Sequence, residues 1–109
     1  MIQVTVYRSN NLMTGFELSG HAESGPYGYD LVCAGVSAVS IGTVNAVTEL
    51  CEADLEIEQG AEGGYLLVSL PKSLQGEKME KVQLLFEGML ISLKSIEQEY
   101  RQFIHIRSK

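Results

Sequence analysis

Apolar and polar positions alternate at the start of the chain. Ile2, Val4 and Val6 are interleaved with Gln3, Thr5 and Tyr7, and Phe16 and Leu18 with Glu17 and Ser19, a two-residue period that predicts two half-buried strands. Ser9-Asn10-Asn11 and Thr14-Gly15 read as the turn between them. The period then lengthens. Val32, Val36, Val39, Ile41, Val44, Val47 and Leu50, with the small Ala34, Gly35 and Ala38 between them, predict a helix from Leu31 to about Cys51, opened by Asp30 as N-cap. With no clear polar face, this helix is expected to be central, covered by sheet on one side and by another element on a second. Leu55 and Ile57 alternate with Asp54, Glu56 and Glu58, giving a third strand with a solvated acidic face. Gly60 to Gly64 read as a turn and Tyr65 to Leu70 as a fourth strand.

A second helix is predicted from about Gly76 to Glu99, its buried stripe formed by Val82, Leu85, Phe86, Met89, Leu93 and Ile96. Leu84 and Ile91 fall off that stripe. The tail from Arg101 to Arg107 reads as a fifth strand with His105 facing solvent. The order ββαββαβ predicts an α+β, two-layer sandwich, with two helices packed on a mixed, mainly antiparallel sheet.

Composition narrows the function. The chain has 109 residues and no internal linker, so residues 1–109 form one domain. Its formal net charge is −6, and the eight Lys and Arg residues form no block. Direct nucleic-acid binding is therefore not expected, because phosphate contacts need clustered cations, whereas a basic substrate would be steered inward. No continuous apolar run reaches the roughly 18 residues of a membrane span, so no membrane partner is expected. The N-terminus lacks the basic start and apolar block of a signal peptide, so a cytoplasmic location is expected.

Cys33 and Cys51 lie eighteen residues apart on the first predicted helix. That spacing puts them roughly 27 Å apart, against the 7 Å or so that a disulfide tolerates. Both are expected as free thiols, in keeping with a reducing compartment. Neither a phosphate-binding glycine motif nor a CxxC or HxxxH pair occurs. His21, Glu23 and Cys33 offer zinc-compatible atoms but lack a fourth ligand in register, so no metal or cofactor is expected.

The candidate chemistry lies between the second strand and the first helix. His21 closes the strand, residues 22–29 form a Gly- and Pro-containing loop, and Asp30 and Cys33 open the helix. A helix N-terminus favours thiolate over thiol, and thiolate is the nucleophile. His21 could serve as base, Asp30 could cap the helix and orient the imidazole, and Ser37, one turn beyond Cys33, could donate a hydrogen bond. First-turn N–H groups could stabilise an oxyanion. The negative charge of Asp30 opposes a thiolate, so imidazolium and helix end must outweigh it. On the residues alone, Cys33 reads equally as a packing thiol, and the chain as a non-catalytic protein-binding module.

The stretch Gly20-His21-Ala22, followed by Gly28-Tyr29-Asp30-Leu31-Val32-Cys33-Ala34-Gly35-Val36-Ser37, closely resembles the ribosomal-processing cysteine protease family, Prp. The resemblance implies Cys33 as nucleophile and His21 as general base, with Asp30, Ser37 and Gly20 in supporting positions. It further implies removal of an N-terminal extension from a large-subunit ribosomal protein, no cofactor, and a homodimer to which Leu84 and Ile91 could contribute. The loop residues Glu23, Ser24, Gly25, Tyr27 and Gly28 are expected to order over the substrate peptide.

Overall fold

The computed structural model describes residues 1–21, 30–60 and 64–109. Its elements are β1 (Ile2–Ser9), β2 (Leu12–Ser19), α1 (Leu31–Leu50), β3 (Glu56–Gln59), β4 (Tyr65–Ser69), α2 (Gly76–Glu99) and β5 (Ile104–Ser108). The five strands form one sheet in the order β3-β4-β2-β1-β5. Only the β1–β5 pair is parallel. Both helices lie on the same face, so the expected α+β sandwich is the observed one.

The β1–β2 hairpin turns on Asn10 (φ 52°) and Asn11 (φ 67°), with Ser9 paired to Leu12. Two successive left-handed residues make the tight turn whose twist matches the flanking strands, and Asn tolerates that region. Thr14-Gly15, read as part of the turn, instead lies inside β2. The glycine answers to close packing: a Cβ at Gly15 would sit 2.4 Å from the Val68 carbonyl oxygen.

The core-facing strand positions Ile2, Val4, Val6, Phe16 and Val68 are buried against Val32, Val36, Val44 and Val47 of α1 and Val82, Phe86, Met89 and Leu93 of α2. Phe16 and Phe86 meet edge to face with centroids 5.5 Å apart. Such a contact contributes about 0.5–1.5 kcal/mol beyond area burial. Gln83 of α2 clamps β2, accepting from the Met13 N–H and donating to the Met13 carbonyl, both at 2.8 Å. Leu90, absent from the sequence-derived stripe, is also buried because the contact face of α2 is wide enough to include both 89 and 90.

Helix α1 meets the sheet on one side and α2 on another, as expected, while Leu31, Ile41 and Leu50 on its remaining surface are exposed. Three expectations need correction. By length and mean hydropathy (1.7) the same helix could cross a membrane, which the count of unbroken apolar residues overlooked. Here its valines pack on the sheet instead. Strand β3 is exposed throughout, Ile57 included (46%), because it is the sheet margin and no helix reaches over it. Finally, residues before Ile104 in the tail form a turn, with the Phe103 N–H donating to the Tyr100 carbonyl, so β5 begins later than the alternation indicated.

Candidate active site

Cys33 occupies the first turn of α1, where Asp30 caps the helix. The Asp30 Oδ1 accepts the Cys33 N–H at 2.9 Å and the Asp30 carbonyl accepts the Ala34 N–H at 3.1 Å. The cap fixes the start of the helix and hence the point from which the sulfur projects. It also alters one expectation: the amide of Cys33 is engaged by a carboxylate and is not a free oxyanion donor. Asp30 therefore supports the site through the backbone.

His21 enters from the sheet. Strand β2 ends at Ser19, and the chain turns at Gly20, whose φ of +89° and close approach to the Met1 carbonyl (2.4 Å from a Cβ) exclude a side chain. The Gly20 N–H donates to the Gly64 carbonyl at 2.8 Å, tying the end of β2 to the start of β4. Gly64 in turn supports the imidazole: a Cβ there would lie 2.7 Å from His21 Nε2 and 3.1 Å from Cε1. The ring is thus seated on bare backbone from a distant part of the chain.

His21 and Cys33 line a single cleft of about 280 Å³ with Gly20 and Ser37. The eleven residues between them in sequence do not separate them in space. One wall is the α1 face Cys33, Val36, Ser37, Ser40 and Ile41, and the other is formed by strand ends, including Leu18, Gln59, Gly60 and Tyr65. Cys33 is half-buried while Cys51 is buried, and neither is paired in a disulfide. Among the described residues, no hydrogen bond joins the Cys33 sulfur to His21; nucleophile–base bonds commonly tighten only when substrate arrives.

Several lining residues were missed by sequence reasoning. Ser40 is fully buried, its hydroxyl donating to the Val36 carbonyl at 2.6 Å. It lies with Cys33, Val36 and Ser37 on one helical face, so its spacing carried a signal. Gly60 and Gly64 carried none, because their roles arise from the β2–β4 and β3–β4 pairings. Tyr65 borders the cleft and donates its hydroxyl to Glu17 Oε2 at 2.7 Å, while Tyr7 donates to Oε1 at 3.1 Å. The Glu17 hydrogen bond pushes the Tyr65 phenol up to about 12. Among the described residues, no cluster of His, Cys, Asp or Glu could hold a metal ion. The proposed substrate-loop residues Glu23, Ser24, Gly25, Tyr27 and Gly28 lie outside the described residues.

This geometry has close counterparts. Residues 1–105 match the family model for cysteine protease Prp. The ribosomal processing cysteine protease Prp of Bacillus subtilis (strain 168) is 44% identical over 107 residues, covering 97% of this chain and 96% of that protein. The Staphylococcus aureus protein of the same name is 35% identical over 108 residues, covering 99% and 97%. Crystal structures of the S. aureus protease superpose over 100% of both chains, one with a covalently linked product peptide (TM-score 0.90, 35% identity) and one with a substrate peptide (TM-score 0.85, 34% identity).

Proposed function

The chain belongs to the Prp family of cysteine proteases and is a cysteine peptidase; from that premise we propose that it removes the N-terminal extension of a large-subunit ribosomal protein, using Cys33 and His21 as a catalytic dyad. The non-catalytic binding module gives way to this reading. The observation that carries it is the shared cleft, in which the free thiol at a helix N-terminus faces the same volume as the imidazole seated on Gly64.

In the proposed cycle, His21 takes the proton of the Cys33 thiol and the thiolate attacks the scissile carbonyl carbon. The tetrahedral intermediate collapses as the imidazolium gives its proton to the leaving amine, which departs as the new N-terminus of the ribosomal protein. The extension remains as a thioester on Cys33. Water, deprotonated by His21, then attacks the thioester and releases a carboxylate and the free thiol. Asp30 fixes the start of the helix, Gly20 and Gly64 aim the ring, and Ser37 offers a hydroxyl within the cleft. The loop bearing Glu23, Ser24, Gly25, Tyr27 and Gly28 closes over the peptide in this scheme. No cofactor takes part.

A net charge of −6 suits a basic ribosomal protein rather than a nucleic-acid partner. The cytoplasm, where ribosomes assemble and thiols stay reduced, is the proposed compartment. A homodimer would bury Leu84 (74% exposed) and Ile91 (67%) beside the groove where Ala38 and Gly42 of α1 face Gly88 of α2. The deciding experiment incubates the extended ribosomal protein with the native chain and with Cys33→Ala. Mass spectrometry should detect trimming by the native chain alone, with Cys33 alkylated far faster than Cys51; trimming by Cys33→Ala would refute the mechanism.

A further inference from the structure

We propose that the free margin of β3 receives the peptide substrate as an added strand, a binding mode that rests on the peptidase reading above. The Gly60 N–H donates to the Tyr65 carbonyl at 3.2 Å, and the register continues through Glu58↔Leu67 and Glu56↔Ser69. Antiparallel partners alternate in the direction of their backbone groups, so Gly60, Glu58 and Glu56 face β4 while Ile57 and Gln59 direct N–H and C=O outward. Among the described residues nothing pairs with that outward row. Gln59 and Gly60 also line the cleft that holds Cys33, so the open row leads into the site.

The opposite margin is partly occupied. The Lys109 N–H donates to the Val6 carbonyl, which turns the Ile106 N–H away from β1, and Glu97 Oε2 accepts that amide at 2.7 Å. One edge of the sheet therefore has its Ile106 amide taken by a side chain from α2, and the other, beside the nucleophile, has no such cap among the described residues. Exposed strand edges are normally blunted because they pair with other chains. An edge left open next to a peptidase cleft is suited to an extended peptide, held by main-chain bonds whatever its sequence.

The two faces of β3 also define what the added strand should carry. Its helix-side residues would lie over Ile57 and toward Ile41, both half-exposed apolar side chains with no cover. Its outer residues would lie beside Glu56 and Glu58. The occupant is an extended segment with apolar residues on one side and Lys or Arg on the other.

The test is a backbone N-methyl walk. A fluorescent peptide spanning the extension of the ribosomal protein is titrated into the intact Cys33→Ala chain, with binding read by anisotropy. Methylation at every second residue should weaken binding about tenfold, and methylation between them should not, as expected for removing single main-chain hydrogen bonds. Ile57→Pro, which deletes one outward N–H without touching the β4 ladder, should weaken binding by a similar factor while retaining the melting transition. Uniform sensitivity along the peptide, insensitivity to methylation, or no binding at all would overturn strand addition. Cleavage by the native chain is scored separately: alternating sensitivity without cleavage would support the docking edge and defeat the proposed peptidase substrate.

Discussion

Replacing Gly64 by Ala tests whether the backbone at the start of β4 sets the imidazole of His21. Gly64 has φ +73°, a region that costs a residue with a Cβ roughly 1–2 kcal/mol. For a domain of this size that loss corresponds to a Tm lower by about 4–12 °C. The new methyl would also stand 2.7 Å from His21 Nε2. Contact distances for such atoms are about 3.5–4.0 Å, so the ring must retreat by about 1 Å. A displacement of that size at a reacting group can cost about a hundredfold in rate. Gly76→Ala is the matched control: its φ is +68° and nothing lies within 4 Å of the added atom. Both variants should lose similar stability in thermal melts, but only Gly64→Ala should slow peptide cleavage by about two orders of magnitude with Cys33 still present. Equal turnover in the two variants at a temperature where both are folded would refute a positioning role for Gly64.

Two further outcomes concern pH. The Arg8–Glu87 pair, bidentate at 2.7 and 2.9 Å, holds the Glu87 carboxyl below its ordinary 4.5, first through the hydrogen bond from Arg8. A depressed carboxylate stabilises the fold above its unfolded pKa and loses that contribution as pH falls through the folded value. Glu87→Gln should therefore melt slightly lower than the native chain at pH 7 and equally at pH values well below 4.5, the difference being only a few tenths of a kcal/mol because both side chains are partly solvated. On the open face of the sheet, ultraviolet titration should find Tyr65 ionising near 12, with Glu17→Gln returning it toward 10. The raised phenol contributes its stability fully below pH 10 and loses it as pH climbs through about 12, so alkaline unfolding of Glu17→Gln should begin earlier.

Regular alternation made most of the fold readable in advance. Ile2, Val4 and Val6 point to the core as their period indicates, and α2 runs from Gly76 to Glu99 as its stripe requires. Failures arose where composition and environment part company. Ile57 obeys strand alternation but sits on the sheet margin, and Ile41 obeys helical patterning but has no neighbour above it; neither fact is encoded locally. At the site, Asp30 and Cys33 were legible because a cap and the residue three positions later form a local unit. His21 was legible as a residue type, but the support beneath it was not. Gly64 approaches it only through the β2–β4 pairing, a tertiary contact that no window of sequence contains.

The Glu97 carboxylate on the Ile106 amide also limits how copies of the chain can associate. If both margins of the sheet were bare, β3 of one molecule could join β5 of the next, and that head-to-tail union would repeat without end into a fibre. Occupying the Ile106 amide weakens that first link. Among the described residues the outward row of β3 stays free for a peptide or, by two-fold symmetry, for its own twin.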